Sequence, residues 1–233
     1  MLLISIGDGG AEATLTEAQA LLANCDRPLL LALLPKTLAM LHYMQGRQAE
    51  TGRQNARALK LARAGGYEIL AITIEENIAD SLWLAGDLPG ALAATRNVIE
   101  QCKRVKAAHK VNWGWIYGNY LGMLVETGEL AEAAGIARLA MPCLREANST
   151  RRVMDHFALR LAKAGRPEEA AVVHGWINDH FTSKRITRQP NELRAMNSTA
   201  SLLRDQLSPG VLARLLADGA QLTEQEVCRV ALA

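Results

Sequence analysis

Apolar residues recur along this chain at the i, i+3, i+4 spacing of a helix face, and the stripe restarts in the same register before a series of glycines. Leu38-Ala39, Ile78-Ala79, Tyr120-Leu121 and Phe157-Ala158 stand eight and seven residues before Gly46, Gly86, Gly128 and Gly165. Leu82, Leu124 and Leu161 stand four before the last three of these glycines. On the far side, Ala91, Ala133 and Ala170 fall at plus five, and Ala58, Val98, Ala140 and Ile177 at plus twelve. Each glycine therefore reads as a hinge between two antiparallel helices, since glycine takes the left-handed conformation that closes a helix. With Gly7 included, the glycines are 39, 40, 42 and 37 residues apart. The pattern predicts helices over 12–25, 28–45, 48–64, 67–85, 88–105, 109–127, 130–147, 150–164, 167–182, 191–206, 209–218 and 223–232.

Proline and cap signals refine this reading. Pro89 and Pro167 suit the first turn of a helix, Ser208-Pro209 marks a start, and Thr223-Glu-Gln-Glu226 has the spacing of a capping box. Pro35 and Pro142 fall inside their helices and are expected to kink or end them, because proline removes an amide donor and clashes with the preceding turn. The segment 183–191, with Lys184, Arg185, Arg188 and Pro190, breaks the period and reads as a loop. The organisation expected is helical repeats over 1–182, then a loop and a short helical cap over 183–233. The fold class is all-α, a right-handed superhelical solenoid of antiparallel helix pairs with a period of about 40.

Composition agrees with an all-helical chain: 49% of residues are hydrophobic, only 4% aromatic, and β-branched runs bounded by turns are missing. The net charge of +2 is far from the basic excess of a dedicated nucleic-acid binder, so nucleic acid is not the expected partner. No stretch approaches the roughly 20 apolar residues that cross a bilayer, and Met1 to Gly7 lacks the features of a secretory signal, so no membrane association and a cytoplasmic location are expected. Cys25, Cys102, Cys143 and Cys228 are isolated, and His156, His174 and His180 do not pair on one helix face, so no metal is expected. Neither a P-loop, a Gly-x-Ser-x-Gly elbow, a His-Glu-x-x-His pair nor a dinucleotide fingerprint occurs, so no enzyme activity and no cofactor are expected.

The turn motifs Gly86-Asp-Leu-Pro-Gly-Ala91, Gly128-Glu-Leu-Ala-Glu-Ala133 and Gly165-Arg-Pro-Glu-Glu-Ala170 resemble the tetratricopeptide repeat, whose usual period is 34. Gly46 is followed at plus five by Thr51 and Gly7 by Glu12, so the first units are degenerate. The longer period, with the tail from Leu207 through Leu222-Thr-Glu-Gln-Glu226 to Ala233, is similar to the C-terminal region of bacterial signal-transduction ATPases of the STAND class. These include LuxR-type and winged-helix transcription regulators and adenylate-cyclase-like proteins. The resemblance implies a sensor or regulatory module normally attached to an ATPase, and Met1 to Gly7 look like the tail of a helix whose beginning is missing. In that register the first helix of each pair lines a concave groove, which implies partner-binding roles for Met40 and Tyr43, for Glu76, Asp80 and Trp83, for Trp115, Gly118, Gly122 and Glu126, and for Arg152, Asp155 and Lys163. Tyr117 and Tyr120 are assigned to packing. The expected occupant is a protein segment or the upstream ATPase domain, with a small-molecule effector as the alternative. The apolar opening Met1 to Ile6 leaves self-association through the N-terminal repeat open.

Overall fold

The computed structural model describes residues 10–105 and 112–233, and these are helical with no strand among them. They form two compact units, 1–111 and 112–233. The expectations placed on Met1 to Gly7, on Gly7 as a turn and on the start of the 109–127 helix lie outside the described residues. No helix among the described residues is long and apolar enough to cross a membrane.

In the first unit, α1 (Gly10–Leu21) and a 3-10 turn (Leu22–Asn24) precede α2 (Pro28–Met44), α3 (Gln48–Ala64), α4 (Glu68–Leu84) and α5 (Leu88–Arg104). Here α2 packs against α3, α3 against α4 and α4 against α5. The second unit contains α6 (Trp113–Thr127), α7 (Leu130–Glu146), a 3-10 turn (Thr150–Arg152), α8 (Met154–Lys163), α9 (Pro167–Lys184), α10 (Pro190–Gln206), α11 (Pro209–Ala220) and α12 (Glu224–Ala231). Here α6 pairs with α7 and α8 with α9, while α10 lies on α8 and α11 on α9. The helices of 183–233 are thus part of the same packed body as α8 and α9. Arg160 of α8 ties down the last helix by donating to the carbonyls of Ala231 and Ala233 at 2.9 and 3.3 Å.

One turn geometry joins the helices. At Gly46, Gly66, Gly86, Gly128, Asn148, Gly165 and Arg185 the backbone φ is positive. In every case the next residue's N–H reaches back to the carbonyl five positions before that residue, from Arg47 to His42 at 2.8 Å, from Tyr67 to Ala62 at 2.9 Å, and so on to Ile186 on Phe181 at 3.1 Å. This is the Schellman closure, which satisfies carbonyls the helix end would leave orphaned. Gly66, Asn148 and Arg185 are turns that the 40-residue pattern did not single out, because they close the second helix of a pair.

Packing relies on small residues. Ala32, Ala58, Ala62, Ala71 and Ile74 form a core cluster in the first unit. In the second unit α9 and α11 cross closely: a Cβ added at Gly175 would fall on the backbone carbonyl of Leu216, and one at Gly219 on that of Val172. Of the two effects expected of Pro35 and Pro142, a kink or an end, the end does not occur: both sit inside continuous 17-residue helices. The reason for α7 is that buried Ala137, Ala140, Met141 and Leu144 hold it to its neighbours on both sides of Pro142, outweighing the roughly 3 kcal/mol that an interior proline costs.

Candidate functional site

Two features of the described residues carry charge and shape together: an open cleft in the first unit and a buried polar cluster in the second. The cleft, about 740 Å³, lies between α4 and its neighbours α3 and α5. Tyr67, Ala71, Ile72 and Val105 give it an apolar wall, with Arg63 and Arg104 at its edges. Glu75 lies within it and is spoken for, accepting from Arg63 at 2.6 Å and from Gln101 Nε2 at 2.6 Å. The lining thus offers a fixed carboxylate, two guanidinium groups and an aromatic ring on an apolar surface.

The groove positions inferred for this unit are deeper than expected. Tyr43, Glu76 and Asp80 are buried, and Trp83 is only 1% exposed. Trp83 is therefore a core residue, a correction with a plain cause: α4 is packed on both sides, and its buried residues Ala71, Ile72, Ile74, Ala79 and Trp83 leave it no wholly solvated face. Met40 is half-buried. Lys36 lies in the field of Glu76; burial pushes its ammonium pKa down and the Glu76 carboxylate opposes that shift.

In the second unit three of the four charged groove positions, Asp155, Glu126 and Lys163, are engaged by the chain itself. Asp155 of α8, fully buried, accepts from Arg188 Nε at 2.8 Å and from its Nη2 at 3.4 Å. Glu126 at the end of α6 accepts from Arg194 of α10 at 2.9 Å, and Lys163 donates to the Val125 carbonyl at 2.9 Å. Arg152 is exposed. Gly118 does not hold space for a ligand, because the Val153 side chain already lies 2.7 Å from where its Cβ would be. Gly122 is buried as well. Trp115 is half-buried; Trp113 stacks on Tyr117 at 5.4 Å, and Tyr120 is buried with its hydroxyl donating to Glu132 at 2.6 Å.

Around Asp155 the polar network continues inward. Arg188 also donates to Asn178 Oδ1 at 2.6 Å, which fixes the amide so that its Nδ2 faces His174 Nε2 at 2.9 Å. Burial pushes the pKa of His174 down to about 4, so the ring is neutral and its Nε2 accepts. Glu192, at the start of α10, is buried and accepts from the Gln189 amide at 2.8 Å. Burial raises its carboxyl to about 8, with Asp155 adding to the shift and Arg152 and Arg188 opposing it. Asp155 is raised to about 6 by burial, against the pull of Arg188. His156, fully buried, is pushed down to about 3. Arg188 thus pairs directly with Asp155 alone, and burial favours the protonated form of Glu192. Asp155, His156, His174 and Glu192 are buried, while Arg188 and Asn178 are half-buried at the edge of the cluster.

Glu192, Asn178 and His174 did not emerge from the sequence as a group. One signal was there to find: Gln189-Pro190 followed by Glu192 has the proline and the third-position glutamate of a helix start. Among the described residues no three His, Cys, Asp or Glu side chains converge as a metal site. Compared with known proteins, the chain matches no family model, no curated protein and no solved structure.

Proposed function

We propose that the protein is a non-enzymatic helical-repeat module that binds a protein segment in the cleft of its first unit and acts in the cytoplasm as the regulatory part of a bacterial signal-transduction or transcription-regulatory ATPase. The observation that carries the binding reading is the cleft itself. Its lining joins an apolar wall to charged groups, of which Glu75 and Arg63 are already oriented by each other and by Gln101. Such a surface suits side chains projecting from an extended or helical peptide, and its preorganised walls reduce the ordering cost of association. The ATPase context rests on the turn motifs and the tail described above, and on nothing further.

The experiment is selection from a displayed random-peptide library on the full chain. Enrichment of a common motif, lost when Tyr67 is replaced by Asp while the helical signal is kept, supports the reading. If no peptide is enriched and a metabolite panel raises the melting temperature instead, the module is an effector sensor.

A further inference from the structure

We propose that the face of the second unit presenting Arg151, Arg152, Lys184 and Arg185 is a docking surface for an acidic protein segment. This surface shares no residue with the cleft of the first unit, so either assignment can fail without the other.

The surface is built on α9, whose Trp176, His180 and Lys184 recur at four-residue spacing and therefore lie along one face. The Arg151 guanidinium sits over the Trp176 ring, 5.1 Å from its centroid, which lays the 3-10 turn carrying Arg151 and Arg152 beside that face. Trp176 is itself fixed, its indole N–H donating to the Leu222 carbonyl at 3.0 Å. Arg151 is thus held on a rigid platform with 46% of its side chain still in solvent. Arg152, Lys184 and Arg185 are exposed. His180 lies among them: burial first, then the charges of Arg151, Lys184 and Arg152, push its pKa down against the opposing pull of Asp179. The whole chain carries a net charge of only +2, so this is a local concentration of positive charge.

A second observation comes from the backbone. Of the seven positive-φ closures, five use glycine and one uses asparagine, the residues that tolerate this conformation, but the turn after α9 places Arg185 there at φ 52°. Stability alone favours glycine at that position. Lys184 already supplies the cation that complements the helix C-terminus. A strained residue that carries an exposed guanidinium is what a surface retained for its charge would show.

The occupant follows from the extent of the patch. It spans one helix end and one short turn and is interrupted by Asp179 and by Glu224, which lies 3.8 Å from Arg151. That is too short and too mixed for the continuous basic track a phosphate backbone needs. It matches a few carboxylates spaced along a peptide. Glu224 also lines an open cleft of about 580 Å³ with Pro142, Arg145, Asn148 and Gln225, which gives the peptide backbone a place to lie.

The test is fluorescence anisotropy on the full chain, with a labelled peptide of alternating Glu and Ser as probe and a single-stranded oligothymidine of matched charge as comparator, at low salt. The peptide binds, added salt weakens it, and Arg152→Glu with Lys184→Glu lowers affinity about tenfold or more. By NMR, the His180 pKa moves upward when the peptide is bound. Arg185→Gly lowers affinity while raising the melting temperature, a combination a purely structural residue would not give. The proposal is overturned if the peptide does not bind, if the double charge reversal binds it equally well, or if the oligonucleotide binds and the peptide does not.

Discussion

Replacing Glu192 by Gln gives the sharpest check on the buried cluster, because the carboxyl's shift has a sign opposite to that of a salt-bridged acid. In the unfolded chain Glu192 titrates near 4.5, and in the folded chain near 8. Between these values the folded state holds a proton that the unfolded state has released, so stability falls as pH rises and levels off above about 8. Asp155 contributes in the same direction but only between about 4 and 6. His156 and His174, pushed down to about 3 and about 4, lose their protons more readily folded than unfolded, so they oppose this trend below about 6.5. From pH 6.5 to 8, Glu192 is therefore the member of the cluster that sets the direction of the slope, and the net fall is on the order of 1 kcal/mol, because the two histidines still oppose it at the lower end. For a chain of this size that is a fall in melting temperature of about 2 to 4 °C. Glu192→Gln keeps a carbonyl for the Gln189 amide and removes the proton, so its stability should no longer fall, and should rise slightly, over the same window. The assay is urea unfolding at several pH values, with hydrogen exchange of the 190–206 segment to localise the change. A variant with the same slope as the parent chain would refute the placement of a protonated carboxyl at the start of α10.

Two further perturbations test the packing. Gly219→Ala should cost more than about 2 kcal/mol, because its methyl group would land on the Val172 carbonyl where neither backbone can yield; unchanged thermal unfolding would contradict the close crossing of α9 and α11. Trp83→Ala should cost about 3 to 5 kcal/mol in chemical denaturation, as expected for emptying a fully buried aromatic site, and a loss of at most a few tenths would return Trp83 to the surface.

Much of the fold was legible because its turns are local. Gly46, Gly86, Gly128 and Gly165 were read as hinges from spacing alone, and all four adopt the positive φ that the reading requires. The Thr223 capping box was equally local, and it forms with Glu226 Oε2 accepting from the Thr223 amide at 2.8 Å. What stayed hidden depends on which helix lies against which. Repeat register assigned Asp155, Glu126 and Trp83 to an open groove, but it cannot show that Arg188 and Arg194, arriving from 33 and 68 residues away, engage the two acids. Nor can it show that α4 is covered on both sides. Gly118 failed for a related reason: a glycine facing a gap and a glycine facing a packed valine look alike in sequence. The power of proline to end a helix was over-read, since its local cost is fixed while the tertiary contacts that offset it lie elsewhere in the chain.

The cleft of the first unit is proposed to hold a protein segment. The most direct measurement captures proteins from a lysate of the source organism on the full chain, maps the bound segment by crosslinking from position 67, and titrates the purified segment against parent, Tyr67→Ala and Arg104→Glu proteins. The account predicts binding in the micromolar range that falls about tenfold in each variant with the fold unchanged. Equal affinity for all three proteins, or a crosslinked segment that shows no binding once purified, would contradict it.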